Sequence, residues 1–120
     1  MSRAVILLVD DEPEIRECAK TFLEIEGYDV ITAANGLDGL QQYKDHKDEV
    51  EVVVTDLDMP AMTGSEMIRQ ISKISPAIKV IVASGRSLSY VHRNKRHRDT
   101  TCLQKPYTSG ELTAAVRLLL

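Results

Sequence analysis

The chain lacks tryptophan and has one phenylalanine and two cysteines among its 120 residues. Cys18 and Cys102 form neither a metal-ligand spacing nor a redox pair, and the sequence predicts that each is a small, buried apolar side chain. No apolar run approaches the roughly 20 residues of a transmembrane helix. The N-terminus enters a strand-like run without a cleavage site, so no signal peptide is expected. These absences predict a cytoplasmic protein without membrane insertion.

The chain also lacks an excess of positive charge. It carries 15 lysine and arginine residues against 18 aspartate and glutamate residues, for a net charge of −3. This balance does not favour direct nucleic-acid binding. The hydrophobic fraction of 43% and the charged fraction of 28% are ordinary for a globular protein, and this length suffices for one core. We therefore expect a single domain over residues 1–120, without an output domain.

What the chain does have is a regular alternation of strand-like and helix-like segments. Apolar, β-branched runs predict strands at residues 4–9, 28–33, 50–55, 78–83 and 100–103. Pro13 and Gly27 suit the start and end of a first helix, apolar spacing predicts helices at 37–43 and about 88–95, and Thr-x-x-Glu patterns at 63–66 and 108–111 begin two more. Five strand–helix units in order predict an α/β fold, a parallel sheet with five helices on its two faces.

Polar side chains stand where the apolar runs end. Asp10 and Asp11 follow the first predicted strand and Asp56 the third, while Ser84 ends the fourth and Lys105 follows the fifth. Ligands of open α/β sheets bind at the carboxyl ends of the strands, where neighbouring strands lie about 5 Å apart. Clustered carboxylates repel unless they share a proton or a cation, and oxygen ligands suit Mg²⁺. The pattern predicts a cation-dependent phosphoryl site.

The alternative is that these acids cap helices in solvated loops, as loop acids usually do. A single acid would fit that interpretation well. An adjacent pair, a third acid, a hydroxyl and a lysine at four separate strand ends fit it poorly. The residues by themselves do not distinguish Asp56 from Asp10 or Asp11 as the acid that carries a phosphoryl group.

Four motifs spread over the chain carry a family resemblance. They are LVDDEP at 8–13, TDLDMP at 55–60 with Gly64 beyond it, ASG at 83–85 and KPY at 105–107. Together they resemble the motifs of response-regulator receiver domains, the phosphoacceptor modules of two-component signalling. The resemblance covers essentially all 120 residues and implies a flavodoxin-like, doubly wound sheet with strand order 2-1-3-4-5.

The resemblance also assigns roles to the residues at the strand ends. It implies that Asp56 is the phosphoacceptor, and that Mg²⁺ is held by Asp10, Asp11 and Asp56. The backbone carbonyl of Asp58 would be a further ligand. These are implications of the family, and the spacing of the residues alone does not establish them.

Two further residues receive roles in reading the phosphoryl group. Ser84 would be the switch hydroxyl, and Lys105, followed by a cis peptide to Pro106, would be the phosphate partner. The phosphoryl group would come from a histidine kinase or a histidine phosphotransfer protein, and a conformational switch would pass the signal to an effector protein. Such a module is not an enzyme, since it promotes only its own phosphorylation and dephosphorylation.

Three features depart from the usual family pattern. Cys102 stands where receivers commonly carry Tyr or Phe, so we expect a muted or differently routed switch, with Tyr90 or Tyr107 as possible substitutes. Asp58 and Arg86 are candidates for a pair that covers the pocket. A basic run would form a solvated segment or a face for self-association or an acidic partner; its members are Arg86, His92, Arg93, Lys95, Arg96, His97 and Arg98.

Other functions were weighed against this one. Residues 52–58 resemble the start of haloacid-dehalogenase-type phosphatases, but those carry the motif on their first strand and need further acids after the lysine. A pseudo-receiver fits poorly with a complete acid set. A flavin-binding protein would need a phosphate-cradling loop where Asp10, Asp11 and Glu12 stand. The context remains open between a stand-alone regulator and a receiver from a larger protein, with a lean towards a hybrid histidine kinase.

Overall fold

The computed structural model describes residues 3–85 and 100–120, and every structural statement below concerns those residues. They form five strands: β1 (Val5–Val9), β2 (Asp29–Ala33), β3 (Val50–Asp56), β4 (Lys79–Ser84) and β5 (Thr100–Gln104). They also form four helices: α1 (Pro13–Ile25), α2 (Gly36–His46), α3 (Gly64–Ile74) and α4 (Ser109–Leu119). The helix predicted at about 88–95 lies outside the described residues. Among the helices described, none combines the length and apolarity that crossing a bilayer requires.

The five strands form one parallel sheet in the order β2-β1-β3-β4-β5. The predicted flavodoxin-like topology is confirmed. In the register of β1 and β3, Val9 stands opposite Thr55, so the residues that follow them emerge side by side. All five strands end at one edge of the sheet, which brings the predicted site residues to that edge.

Each face of the sheet has its own hydrophobic cluster, because successive side chains of a strand point to opposite faces. Leu7 and Val9 of β1 belong to the cluster that includes Tyr43, Met67 and Ile71 of α2 and α3. The alternate residues of β1, Ile6 and Leu8, belong to the cluster on the other face, which α1 and α4 cover. The members of this cluster from those two helices include Ala19, Leu23, Leu112 and Val116. This double burial explains why the strands read as continuous apolar runs.

The two Thr-x-x-Glu patterns begin helices as predicted, but only one of them forms a complete capping box. At α4, Thr108 Oγ1 accepts a hydrogen bond from Glu111 N at 3.1 Å, and the Glu111 carboxylate accepts one from Thr108 N at 2.9 Å. At α3, Thr63 Oγ1 accepts from Glu66 N at 3.2 Å. The Glu66 carboxylate instead accepts from Arg69 at 2.6 and 2.7 Å, because a guanidinium one turn ahead competes for it.

The predicted buried position of Cys18 is wrong. Cys18 is exposed and Cys102 is partly buried. In α1 the residues that face the sheet are Ala19 and Leu23, which places Cys18 at the side of the helix. Ile25, the last residue of α1, is 77% exposed.

Candidate functional site

Lys105 joins two acids that are far from it in sequence. Its Nζ donates to Asp10 Oδ2 at 2.9 Å and to Asp56 Oδ2 at 3.0 Å. The register of β1 and β3 places these two carboxylates at the same level, and only 3% of Asp10 and 7% of Asp56 is exposed. Glu12 Oε1 lies 3.7 Å from the same ammonium. The site therefore holds two buried carboxylates around one partly buried ammonium, with a further acid at its rim.

The pairing of β4 with β5 positions Lys105. Ser84 stands opposite Gln104 in the register, and Lys105 N donates to the Ser84 carbonyl at 2.7 Å. Ser84 is completely buried and lies at the same end of the sheet as the acids. The peptide bond between Lys105 and Pro106 is cis, as the family resemblance implied.

Asp10 is fixed through both its backbone and its side chain. Its N donates to the Ala33 carbonyl at 3.1 Å, and its Oδ1 accepts from Glu12 N at 2.9 Å. Its own carbonyl accepts from Arg16 Nη1 at 2.7 Å. Together with the contact from Lys105, every polar atom of Asp10 has a partner, so the carboxylate is held in one orientation.

The loop after β3 closes tightly behind Asp56. Its Oδ1 accepts from Asp58 N at 3.3 Å, and its carbonyl accepts from Thr55 Oγ1 at 2.8 Å. A Cβ built on Gly64 would lie 2.0 Å from that same carbonyl oxygen, so glycine is required there. Ala61 has a φ of 68°, a left-handed conformation that costs energy for a residue with a side chain. The loop after β3 is therefore strained where it approaches the acidic side chains of the site.

Burial and charge act in opposite directions on Lys105. Burial by itself lowers the pKa of the ammonium, but the hydrogen bonds and charges of Asp10 and Asp56 outweigh it and hold that pKa above its ordinary value. Burial raises the pKa of the nearby Tyr107 hydroxyl, and the charge of Asp10 adds to the effect. At neutral pH the lysine is therefore charged and the tyrosine neutral.

The acids could hold a divalent cation. Oxygen atoms from Asp10, Asp11, Glu12 and Asp56 all lie within 4.8 Å of one another. Hard oxygen donors of this kind fit Mg²⁺, which binds through one or two carboxylates and keeps several waters. Asp11 is half-buried and Glu12 exposed, so the cluster opens to solvent on one side.

An open groove of about 800 Å³ leads into the site. Its apolar part comes from one side of α1 and from the loop after β5, through Ile15, Cys18, Phe22, Pro106 and Tyr107. Its acidic part comes from Asp11, Glu12, Glu14, Asp56 and Asp58. The groove therefore places an apolar surface beside the acids.

The structure thus brings Asp10, Asp11, Asp56 and Lys105 together, with Ser84 and Asp58 beside them. Arg86 and the other residues of the predicted basic run lie outside the described residues, as does Tyr90. Sequence reasoning missed two contacts, those of Glu12 with Lys105 and of Arg16 with Asp10. One indication of the second contact was present in the sequence. Arg16 lies near the N-terminal end of a helix, where the macrodipole disfavours positive charge, so another interaction has to favour an arginine there.

Comparison with known proteins agrees with this geometry. The family profile described as response regulator receiver domain matches residues 6–117. The transcriptional regulatory protein CpxR homolog of Haemophilus influenzae is 36% identical over 96% of this chain and 49% of its own length. The sensor kinase CckA of Brucella abortus is 34% identical over 98% of this chain and 12% of its own length.

A solved structure gives the same picture. The response regulator protein TrrA from Thermotoga maritima, in complex with Mg²⁺-BeF, is similar with a TM-score of 0.86 and 33% identity. The match covers 97% of this chain and 98% of that one. By contrast, this chain spans half or less of the two longer curated relatives.

Proposed function

The chain belongs to the response regulator receiver domain family, and we propose that Asp56 accepts a phosphoryl group from a phosphohistidine in a Mg²⁺-dependent reaction. The observation that carries this proposal is the contact of Lys105 with both Asp10 and Asp56, two buried carboxylates at the ends of neighbouring strands. Buried charges of this kind are costly for a fold and mark functional sites. Receiver domains are modules of two-component systems, in which such a site is the input.

Asp10 and Asp11 would hold Mg²⁺, with Asp56 and the backbone carbonyl of Asp58 as further ligands. When bound, Mg²⁺ supplies positive charge against the oxygens of the transferring phosphoryl group. An oxygen of the Asp56 carboxylate attacks phosphorus, and the bond between phosphorus and the partner's histidine nitrogen breaks. Lys105 donates to a phosphoryl oxygen as charge develops there. The histidine leaves as neutral imidazole when its other ring nitrogen already carries a proton, so the electron pair of the broken bond stays on the nitrogen that held phosphorus.

The phosphoryl group then acts as the signal. It adds about −1.5 to −2 of charge and three strong acceptor oxygens, within reach of Lys105 and of the Ser84 hydroxyl at the end of β4. These contacts bias an equilibrium between two conformations, for which a complete switch needs about 5.5 kcal/mol. Because Cys102 replaces the usual aromatic residue, a muted or differently routed switch stays a prediction.

The partners follow from this chemistry. We propose a histidine kinase or a histidine phosphotransfer protein as donor, an effector protein or domain as reader, and the cytoplasm as the location. The chain would be a signalling module and not an enzyme with an external substrate. A stand-alone regulator and a receiver within a larger protein are the two candidate contexts, and the two longer relatives are a transcriptional regulatory protein and a sensor kinase.

A phosphatase is the second candidate, and the structure disfavours it. The two acids of the Asp-x-Asp motif, Asp56 and Asp58, stand at the end of β3 and just beyond it; β3 is the central strand and not the first one in the chain. Cis-Pro106 follows Lys105 directly, where such phosphatases need further acids. An aspartyl phosphate at this site would therefore serve signalling.

Intact-mass measurement tests the proposal. The protein is incubated with a small acyl phosphate, with and without Mg²⁺. We expect the wild type to gain one phosphoryl mass with Mg²⁺ and Asp56→Asn to gain none. Asp58→Asn is the matched control, because it removes an exposed acid two residues away and leaves the phosphoacceptor in place. A wild type that gains no phosphoryl mass would overturn the proposal and favour a pseudo-receiver.

A further inference from the structure

Arg16 holds both ends of the short loop between β1 and α1. Its Nη1 donates to the Asp10 carbonyl at 2.7 Å, and its backbone N donates to the Glu12 carbonyl at 3.0 Å. The loop that these two bonds span consists of Asp10, Asp11 and Glu12, before Pro13 begins the helix. A single residue thus fixes the backbone on either side of Asp11.

The carbonyl that Arg16 binds belongs to the peptide bond between Asp10 and Asp11. A peptide unit is planar, so fixing its oxygen also fixes the direction in which the chain continues into Asp11. Asp10 has independent anchors for its carboxylate, in Glu12 N and Lys105 Nζ. Within residues 3–85 and 100–120, no hydrogen bond holds the carboxylate of Asp11. The orientation of Asp11 therefore depends on its backbone.

Charge alone gives no reason for an arginine at this place. A guanidinium near a cation site repels the cation, and a positive charge near the N-terminal end of a helix opposes the macrodipole. The benefit has to come from geometry. Residues that orient metal ligands from behind commonly change metal affinity about 10- to 100-fold when they are removed.

We propose that Arg16 is a positioning residue, which holds the Asp10–Asp11 peptide so that the Asp11 carboxylate faces the magnesium site. The inference rests on the proposed function, because it presumes that Asp10 and Asp11 bind Mg²⁺. It adds a residue that does not touch the metal itself. By its geometry Arg16 raises the affinity for Mg²⁺, whereas its positive charge lowers that affinity. A Mg²⁺ titration can therefore distinguish the two effects.

The test is a Mg²⁺ titration followed by amide NMR shifts, on wild type, Arg16→Met and Lys20→Met. Methionine keeps the apolar stem and the helix propensity of arginine but removes the guanidinium. We expect the dissociation constant of Arg16→Met to rise about tenfold. Lys20 lies one turn further along the same side of α1, so Lys20→Met removes an equal charge without touching the loop. It should leave the constant unchanged or lower it slightly.

The rate of phosphorylation gives a second readout. In Arg16→Met the Mg²⁺ concentration for half-maximal rate should rise about tenfold, while the rate at saturating Mg²⁺ stays within about twofold of wild type. A general structural defect would lower the saturated rate as well. Arg16→Lys keeps a charged donor with one ammonium in place of the planar fork, and should bind Mg²⁺ with an affinity between those of wild type and Arg16→Met.

The outcomes are distinct. Equal or tighter Mg²⁺ binding by Arg16→Met than by wild type overturns the inference, since that is what charge removal alone produces. If Arg16→Met does not fold, Arg16→Lys decides by the same rule, and a dissociation constant equal to that of wild type overturns the inference. A wild type that binds no Mg²⁺ contradicts both the inference and the proposed function. A wild type that binds Mg²⁺ and is phosphorylated leaves the proposed function intact whatever Arg16 does.

Discussion

Buried polar groups at the two ends of the sheet have different kinds of partner. At the amino end, the hydroxyl of Tyr43, a residue that is 1% exposed, donates to Ser75 Oγ at 2.6 Å. This contact joins two hydroxyl groups. At the carboxyl end, Asp10 and Asp56 share the one ammonium of Lys105.

The two ends differ in what their buried polar groups contribute to stability. A neutral hydrogen bond satisfies both partners and contributes modestly to stability. Two buried carboxylates against one ammonium leave an excess of negative charge, and Asp11 and Glu12 add to it at the rim. A fold selected only for stability would replace such a cluster with apolar side chains. The charge at the carboxyl end therefore suits a positively charged ligand, as the proposed function requires.

Lys105→Met should have the largest effect on stability. It leaves two buried carboxylates without a counter-charge, and breaking a buried ion pair from one side costs about 4 kcal/mol. Added Mg²⁺ should restore part of the loss, because the dication takes over the charge of the ammonium. Urea denaturation with and without Mg²⁺ measures both effects. The control is Lys79→Met at the amino end, which should change the free energy of unfolding by less than about 0.5 kcal/mol.

The pH dependence of this difference has a definite sign. The pKa of Lys105 is raised above its ordinary value of 10.5, so the folded state binds the proton more tightly than the unfolded state. The stabilisation is then complete below about pH 10.5 and is lost as the pH rises through the folded-state pKa. Equal stability of Lys105→Met and wild type at neutral pH without Mg²⁺ would contradict the comparison of the two ends.

Gly64→Ala should have the next largest effect. Its Cβ would meet the Asp56 carbonyl oxygen at 2.0 Å, so the backbone of the loop after β3 has to move. We expect a loss of about 2 kcal/mol in the free energy of unfolding together with weaker Mg²⁺ binding. Gly110→Ala is the matched control. The atom nearest to its added Cβ, Thr108 Oγ1, would lie 3.9 Å away, so this substitution should not lower the free energy of unfolding. A fully stable Gly64→Ala would mean that this loop is not closely packed.

Tyr43→Phe tests the hydrogen bond at the amino end of the sheet. It removes the neutral hydrogen bond to Ser75 and should cost about 1 kcal/mol, with the Mg²⁺ dissociation constant unchanged. Ser75→Ala should give a similar loss, and the double variant little more than either one. Denaturation and Mg²⁺ titration on the same samples test this. Altered Mg²⁺ binding in Tyr43→Phe would show that the two ends are coupled.

Glu66→Gln should have the smallest effect. The hydrogen bond from Arg69, with smaller help from Gln70, lowers the pKa of Glu66 to about 2, but the pair lies on the surface, where solvent screens it. The sign is that of a depressed acid: its stabilisation is present above pH 4.5 and is lost as the pH falls towards 2. The thermal midpoints of the two proteins should nearly coincide at neutral pH and converge further in acid. A large gap at neutral pH would be unexpected.

Much of the fold was predictable because burial on both faces leaves continuous apolar runs. The predicted strand at 4–9 begins at Val5, and the one at 50–55 extends to Asp56, differences of one residue. Strand ends of a parallel sheet share one edge, so the meeting of Asp10 with Asp56 was also predictable. The choice of Asp56 as phosphoacceptor came from the family resemblance, and it stays a prediction.

Other contacts could not be predicted, because long side chains choose partners only after the loops have formed. The sequence placed Lys105 at the site, but which carboxylate oxygens its ammonium contacts depends on the turn after β5, because Lys105 is 95 positions from Asp10 and 49 from Asp56. Arg16 bonds a backbone carbonyl, which every residue carries and no sequence pattern marks. Cys18 was misplaced because a period of 3.6 residues does not separate the centre of a buried stripe from its margin.

The location of the phosphoryl group tests the central claim most directly. After incubation with an acyl phosphate and Mg²⁺, borohydride reduces an aspartyl phosphate to homoserine, and peptide mass spectrometry identifies the converted residue. We predict homoserine at position 56, with Asp10, Asp11 and Asp58 unchanged. Conversion at one of those three acids, or at none, would contradict the assignment of Asp56 as the phosphoacceptor.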